Sequence, residues 1–423
     1  AVDDVTINYS ILNKEYTLLP YLGIILTKSL TILQSIFPSI NIFFVFLVLM
    51  YSISFSGLLY LLRDKKYKIV LWIIVLVIEF ALIKYFTYSM VAYLLAISGI
   101  FLLYKENNIV VPTILIFIGI SLRVQIISSL LILCLAVIIF ELIKNKKVKQ
   151  TGILIGIIFI VSLTNWLFIQ SNDIEKSYIE WNEKSTLIRD YPAIDYSAKK
   201  ESLDRMGVTE NTLASHNSWI LSEKRVFSNE LLDNLDKVRS VSEKYNVSIK
   251  KITIEYFSNE FYKLFTFFVL LVFLFYKSKS FYGYLLFFSP IALLTALIVR
   301  QRVVERVYIP LIVCFLVVFI FYARSFYEKR RLFDKRKVFL SLQIMGILGG
   351  AVWINQLGQE LYWFPYIQSS VVSEYQNLVQ RNSDKLIVFG GYGTLVSSQP
   401  TLSTFKLRPN QLVTNTTTLG NWQ

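Results

Sequence analysis

Two adjacent carboxylates at the start of this chain are the first side chains whose types and spacing could do chemistry. Asp3 and Asp4 lie in "AVDDVTINYS". A carboxylate can act as a general base toward a sugar hydroxyl, and a pair can also bind a divalent cation such as Mg²⁺ or Mn²⁺. The same pair can instead mark the solvated end of a helix, where acidic residues are common. The spacing leaves both interpretations open.

Four arginines at the borders of apolar segments are a second group. Arg123 lies in "ISLRVQIISS", and Arg300, Arg302 and Arg306 lie within "IVRQRVVERVYIP". The planar guanidinium group presents a fork of donors that matches phosphate oxygens. Several of them beside apolar segments favour binding of a lipid phosphate or diphosphate. The alternative is that they pair with Glu305 and other acidic residues, or extend to lipid headgroups.

A single acidic residue lies deep in an apolar segment. Glu79 is near the middle of "LWIIVLVIEFALIKYF". An ionisable group at that depth is costly, so it predicts an intramembrane polar site. The alternative is a structural hydrogen bond or an ion pair, for example with Lys84. No series of such groups suggests a proton pathway, and this weakens the case for a transporter.

The elements that must position these side chains are helices in a membrane. Of the 423 residues, 55% are hydrophobic, and the mean hydropathy is +0.54. The apolar residues form blocks of roughly 17–25 residues, the length that crosses about 30 Å of hydrocarbon. In lipid, a helix satisfies its own backbone groups. The sequence therefore predicts an all-α polytopic membrane protein.

The charge pattern predicts how the chain crosses the membrane. The net charge is +14, but the basic residues cluster in short links between apolar segments. This is the positive-inside pattern, so we exclude nucleic acid as a partner. With these links in the cytoplasm, the direction alternates from one predicted span to the next. The ten predicted spans are 37–62, 68–88, 89–104, 109–122, 125–143, 151–170, 261–277, 281–299, 305–323 and 338–354.

The predicted topology divides the chain into five regions. Residues 1–36 form a first outer loop, whose apolar stretch 18–37 is predicted to be an interfacial helix. A full span at 17–37 is the alternative, and it would invert the topology or force a re-entrant segment. An outer start without a signal peptide leads us to expect one further helix before Ala1, which gives eleven spans. The other regions are two parts of the transmembrane bundle and two extracytoplasmic regions: 37–170, 261–354, 171–260 and 355–423.

Both extracytoplasmic regions are predicted to contain folded elements. In the mostly helical loop domain 171–260, apolar spacing predicts a helix that begins at Ser228 or Asn229. Trp181 in the same domain can stack on a sugar or serve as a packing anchor. In the C-terminal region, "DKLIVFGGYGTL" predicts a short strand that ends in a glycine turn, so this part is predicted to be a small α/β unit.

Several stretches of the sequence resemble the GT-C superfamily of membrane glycosyltransferases. More closely, they resemble uncharacterised multispan proteins of bacterial surface-polysaccharide gene clusters. The resemblance implies that Asp3 or Asp4 is the catalytic base, that Arg123, Arg302 and Arg306 hold the lipid phosphate, and that the 171–260 loop is a lid. The stretches are "VDDVTINYSIL", "FTYSMVAYLLAISG", "LRVQIISSLL", "RDYPAIDYSAKKESLDRMGVTEN", "NSWI" and "RVVERVYIPLIV".

From this resemblance we expect a glycosyltransferase in a bacterial plasma membrane, with its active site facing outward. The donor would be a polyprenyl-phosphate sugar, and the acceptor a cell-surface glycan or a lipid-linked glycan. Two alternatives remain. One is a polysaccharide polymerase or ligase of the Wzy or O-antigen-ligase kind. The other is a flippase or transporter of lipid-linked glycan.

Overall fold

The computed structural model describes most of the chain up to residue 329. The described residues are 7–8, 10–11, 21–65, 68–189, 194–217, 227–239, 248–301, 303–329 and short pieces beyond. Asp3, Asp4, Arg302 and the predicted span 338–354 lie outside them. The structural statements below therefore concern only the described part of the chain.

Helices dominate the described residues. Fifteen α-helices are present there, and the turn Ile83–Tyr85 is a 3₁₀-helix. The first eight are α1 (Ile24–Ile36), α2 (Ile42–Leu61), α3 (Lys68–Leu82), α4 (Tyr88–Lys105), α5 (Val110–Leu122), α6 (Ile126–Ile143), α7 (Val148–Gln170) and α8 (Asp173–Arg189). The others are α9 (Tyr196–Arg205), α10 (Glu210–Asn217), α11 (Asn229–Val238), α12 (Ile249–Ser258), α13 (Glu260–Phe275), α14 (Phe281–Val299) and α15 (Glu305–Phe326).

Six of the described helices are long and apolar enough to cross a membrane: α2, α4, α6, α7, α14 and most of α15. The prediction of an all-α polytopic protein is thus confirmed at this level. Three other predicted spans form helices that are shorter than these six. The helix α3 has 15 residues, α5 has 13 and α13 has 16. The 3₁₀ turn lengthens α3 to Tyr85. The count of ten spans stays a prediction.

The helices of the first half alternate in direction. The hydroxyl of Tyr51 on α2 donates to the carbonyl of Glu79 on α3 at 2.5 Å, which is consistent with an antiparallel α2–α3 hairpin. Just beyond α2 and α4, Arg63 donates to the Glu106 carboxylate at 3.1 Å. The helices α2 and α4 therefore end on the same side of the bundle, as strict alternation requires.

The second half follows the same rule. Rings on α13 pair with rings on α15 in parallel order, since Tyr262 contacts Tyr308 and Phe268 contacts Phe319. The hydroxyl of Tyr322 near the end of α15 donates to a carboxylate near the end of α6 at 2.8 Å. The helices α13 and α15 thus run in the same direction as α6.

This alternation gives the bundle two chemically different ends. We call one the lysine end, where α2, α4, α6, α13 and α15 finish, and the other the arginine end, where these helices begin. The predicted basic links that the structure describes lie at the lysine end. The cations there include Arg63, Lys65, Lys68, Lys105, Lys144, Lys146, Lys147, Lys149, Lys277 and Lys279.

The helix α4 is the centre of the bundle. Every residue from Tyr88 to Tyr104 is buried. Glycines permit a close approach between α4 and α5: a Cβ atom on Gly119 would lie 2.7 Å from the backbone nitrogen of Ala96. Small residues at helix interfaces in membranes allow this kind of contact between backbones. The α4–α5 hairpin is therefore the rigid core that carries the loop after α5.

The helix α1 begins and ends at the arginine end. Its N-cap residue, Gly23, donates its backbone N–H to Ser121 at the end of α5, at 2.6 Å. At its other end, Gln34 accepts from the backbone N–H of Ile42 at the start of α2, at 3.1 Å. Because both ends are held at one side, α1 does not cross the bundle. The predicted position of this helix at the membrane interface stays a prediction.

The segment between α8 and α11 has a hydrophobic cluster of its own, separate from that of the bundle. The structure confirms Ser228 as the N-cap of α11, because its side chain accepts from the N–H of Leu231. Trp181 packs against this cluster and donates to Phe227 at 2.8 Å, which favours the packing anchor over sugar stacking. Asp233 accepts from Lys184 at 2.8 Å and raises the pKa of Lys184.

The described residues also form four short strands. The strands β1 (Tyr276–Ser278) and β2 (Tyr327–Lys329) follow α13 and α15 and pair antiparallel at the lysine end. The sequence predicts only basic links at this end. In the C-terminal region, β3 (Ile387–Phe389) pairs in parallel with β4 (Thr416–Thr418). The strand predicted within 384–395 is thus present.

Candidate functional site

The first component of the site is Arg123 at the corner between α5 and α6. It is the C-cap residue of α5, and it is half-buried. Its guanidinium group donates to the Ser89 hydroxyl. The same group lies over the ring of Tyr88, with Cζ 5.5 Å from the centroid. The side chain is therefore held by the bundle rather than extended freely into lipid headgroups.

The sequence "FTYSM" explains how Ser89 and Tyr88 are positioned. Thr87 is the N-cap of α4, and its hydroxyl accepts from the backbone N–H of Met90 at 3.2 Å. This cap places Tyr88 and Ser89 in the first turn of α4, where unpaired N–H groups and the helix dipole favour an anion. Together with Arg123, the first turn of α4 gives this corner a positive potential.

The chain before α1 enters the bundle at this same corner. Val124, next to Arg123, donates its backbone N–H to the carbonyl of Tyr21 at 3.2 Å. The backbone N–H of Ile24 is bound by the Asn165 side chain at 2.8 Å. The ring of Tyr21 lies 6.2 Å from that of Tyr88. These long-range contacts fix the segment that continues from the N-terminal residues beside Arg123.

Asn8 is a polar residue of the N-terminal stretch that the bundle buries completely. Neither its amide nitrogen nor its amide oxygen has a hydrogen-bond partner among the residues that the structure describes. A buried amide without partners costs about 1–3 kcal/mol, so such groups are rare in folded proteins. Asn8 follows Asp3 and Asp4 by a few residues in the sequence, and those two carboxylates lie outside the described residues.

The second component is the region around Arg306. This residue lies in the first turn of α15 and is half-buried. Two residues further on, the Tyr308 hydroxyl accepts from Asn259 at 3.1 Å. Tyr256 on α12 shares a hydrogen bond with Thr295 at 3.0 Å, and burial raises the pKa of Tyr256. The Tyr308 bond therefore joins the start of α15, which carries Arg306, to Asn259 just before α13, and the Tyr256 bond joins α12 to α14.

Arg300 lies at the same end but in a different setting. It is the C-cap residue of α14 and is exposed. Gln301 follows with a left-handed backbone, at φ 54°. The structure therefore places Arg300 at the predicted end of the bundle without a rigid support of the kind that Arg123 has. Arg302 lies outside the described residues.

Aromatic contacts connect the two arginine regions. Tyr85, in the turn that leads to α4, packs edge-on against Phe261 at 5.2 Å. Phe261 in turn lies 6.1 Å from Tyr308 at the start of α15. Residues 85–89 therefore lie between Arg123 and Arg306. The structure brings these two predicted residues to one end of the bundle, on either side of a shared segment.

Among the residues that the structure describes, Glu79 has no contact with Arg123 or Arg306. It is half-buried on α3, and its backbone carbonyl accepts from Tyr51. Within the described ranges its carboxylate forms no ion pair, while nothing is described for the side chain of Lys84. The choice between an intramembrane site and a pair with Lys84 stays open.

Sequence reasoning missed several residues that the structure adds. Ser89 and Tyr88 contact Arg123, although they precede it by more than thirty residues. The polar run before an apolar segment in "FTYSM" was the available signal. At the lysine end, the buried carboxylate of Glu141 accepts from Tyr322 at 2.8 Å and from Asn145 at 2.7 Å. The spacing of the apolar residues does not single out Glu141, because Glu141 lies near the end of its apolar segment.

No group of three or more potential metal ligands occurs in the part of the chain that the structure describes. The divalent cation considered for Asp3 and Asp4 therefore stays a prediction. Comparisons with protein-family models, with curated proteins and with solved structures gave no significant match.

Proposed function

We propose that this chain is a membrane glycosyltransferase. It moves a sugar from a polyprenyl-phosphate donor to a surface glycan or a lipid-linked glycan at the outer face of a bacterial plasma membrane. The observation that carries the proposal is the fixed position of Arg123. Ser89 and Tyr88 hold this guanidinium group at the end of the helix bundle, and a guanidinium group in a fixed position suits the oxygens of a lipid phosphate.

Three further observations support the proposal. Arg306 lies at the same end, across the segment 85–89. The chain that continues from Asp3 and Asp4 enters the bundle beside Arg123 through the contact between Tyr21 and Val124. The helices that lead to the 171–260 region leave the bundle at this end. A donor phosphate, a base and a covering domain would then meet there.

The proposed reaction is a single displacement with inversion. Asp3 or Asp4 removes the proton from an acceptor hydroxyl, and the acceptor oxygen attacks the anomeric carbon of the sugar. The bond between that carbon and the phosphate oxygen breaks, and polyprenyl phosphate leaves with the bonding electrons. Arg123 and Arg306 stabilise the negative charge that develops on the leaving phosphate. No step in this scheme passes through a metal ion.

The test is a transfer assay on purified protein in nanodiscs, with a panel of polyprenyl-phosphate hexoses. Asp3→Asn combined with Asp4→Asn should lower the transfer rate by about 100-fold or more, the typical contribution of a general base. Arg123→Gln should reduce both the transfer rate and the binding of polyprenyl phosphate, measured by native mass spectrometry. Asp173→Asn, on a helix that follows the bundle, is the matched control and should retain full activity.

The outcomes separate the alternatives. Full transfer by the double Asn variant would eliminate the carboxylate base. If Arg123→Gln were inactive at the same time, a polymerase or ligase that uses arginines alone would be favoured. Movement of a lipid-linked glycan across the bilayer without a new glycosidic bond would instead identify a flippase. Unchanged binding of polyprenyl phosphate by Arg123→Gln would contradict the phosphate site itself.

A further inference from the structure

A pocket at the lysine end lies far from the proposed transfer site. It has a volume of about 340 Å³, within the usual range for small-molecule sites of roughly 300–1,000 Å³. It lies where α2 and α4 finish. Its lining consists of Leu61, Arg63, Asp64, Lys65, Lys105 and Glu106.

One of the three cations in this pocket is already neutralised. The guanidinium group of Arg63 donates to both oxygens of Glu106, at 3.1 and 3.4 Å. It also lies 3.5 Å from Asp64 and stacks over Tyr60 at 3.7 Å. The two carboxylates of the pocket are therefore engaged by Arg63.

The other two cations have no direct ion pair of this kind, although Glu141 and Glu106 also act electrostatically on Lys105. The ammonium group of Lys105 lies 4.6 Å from the ring centroid of Phe321, and that of Lys65 lies 5.9 Å from the same centroid. Neither ammonium is within 4.0 Å of a carboxylate among the residues that the structure describes. Two like charges over one buried ring repel each other, and cation–π contacts offset only part of that cost.

Helix ends account for part of this arrangement. The carbonyl ends of α2 and α4 carry partial negative charge, which favours nearby cations. One lysine at each helix end would be enough to offset this partial negative charge. The helix ends do not require both lysine side chains to lie near the ring of Phe321. Leu61 and Phe321 add an apolar border beside the two ammonium groups. Such a site suits a group with an anionic head and a neutral or apolar body.

We propose that this pocket binds the phosphate group of an anionic phospholipid between Lys65 and Lys105. The phosphate oxygens accept from both ammonium groups, and the glycerol backbone lies against Leu61. A free phosphate ester has the same chemistry, so the test must separate the two sources. This proposal concerns the opposite end of the bundle and does not rest on the transfer reaction.

The experiment compares lipid retention in nanodiscs that contain phosphatidylglycerol and phosphatidylcholine, measured by native mass spectrometry. Lys65→Gln combined with Lys105→Gln should reduce the retention of phosphatidylglycerol by about tenfold, because the phosphate loses both of the charge-assisted hydrogen bonds that the pocket supplies. Lys144→Gln combined with Lys149→Gln removes the same charge from exposed positions at the same end. This control should behave like the unchanged protein.

A second variant distinguishes loss of the two charges from loss of folding. Lys65→Arg combined with Lys105→Arg keeps both charges, so it should retain phosphatidylglycerol. Equal loss in the pocket and control variants, or no loss in either, would overturn the proposal. Glycerol 3-phosphate added to phosphatidylcholine nanodiscs tests the other source. If it binds as well as the lipid does, the phosphate site is supported and the lipid assignment is overturned.

Discussion

The two ends of the bundle carry positive charge in different ways. At the lysine end most of the cations lie in short links, and several, such as Lys144 and Lys277, are exposed. At the arginine end, Arg123 is joined to α4 by a hydrogen bond and a ring contact. Charge that only orients a protein in a membrane needs the correct side, whereas charge that recognises a ligand needs a fixed direction. We therefore propose that most of the basic links at the lysine end orient the protein. Recognition of a phosphate would instead depend on cations in fixed positions, which are Arg123 at the arginine end and the Lys65–Lys105 pair in its pocket.

The largest expected effect tests this assignment with the same substitution at both ends. Arg123→Lys keeps the charge but removes the planar fork and its contact with Tyr88. We expect the transfer rate to fall by about 100-fold, or about 2.7 kcal/mol of transition-state stabilisation. Arg63→Lys makes the same change to an arginine stacked on Tyr60 and should leave transfer unaffected. Equal effects of the two variants on the transfer rate would contradict the proposed difference between the two ends of the bundle.

A second prediction concerns the hairpin that supports Arg123. Gly119→Ala places a methyl group against the backbone of α4. We expect the free energy of unfolding, measured by denaturant titration in mixed micelles, to fall by about 2 kcal/mol. Gly156→Ala on α7 is the control, because no atom lies within 4 Å of its added Cβ. A loss of similar size in both variants would show that the close approach of α4 and α5 is unimportant.

The smallest expected effect concerns the ion pair at the lysine end. Glu106→Gln removes the charge that Arg63 pairs with, and burial of the pair is only partial. Such pairs contribute about 0.2–1 kcal/mol, so the unfolding free energy should change by about 0.5 kcal/mol. The same titration in low and high salt checks this, since salt should reduce the difference further. A loss above about 2 kcal/mol would mean that the pair is part of the buried framework.

The sequence predicts the positions of the helices well, because hydropathy and charge reflect contact with lipid and water directly. It does not identify the central helix. The segment of α4 has the lowest hydropathy of the six long helices but is the most buried, whereas α7 is more apolar and the least buried of the six. The physical reason is that lipid-facing surfaces must be apolar, while the interior of a bundle accepts residues such as Ser98 and Tyr93.

The candidate site was predictable only in part. Residue type and position in the predicted topology place Arg123 and Arg306 at one end of the bundle, since each follows or begins an apolar segment. Their supports depend on contacts between distant parts of the chain. The hydrogen bond from Arg123 to Ser89 and the contact between Tyr85 and Phe261 depend on tertiary packing, and no local period in the sequence encodes that packing.

The tight α4–α5 hairpin has a consequence for how the protein is made. Its two helices are neighbours in the chain, joined by a link of a few residues, so they can pair as soon as both have been synthesised. Ser89 and Arg123 stand at the open end of this early unit. The contact between Ser89 and Arg123 can therefore form during insertion, before the ribosome has translated the helices that carry Arg300 and Arg306.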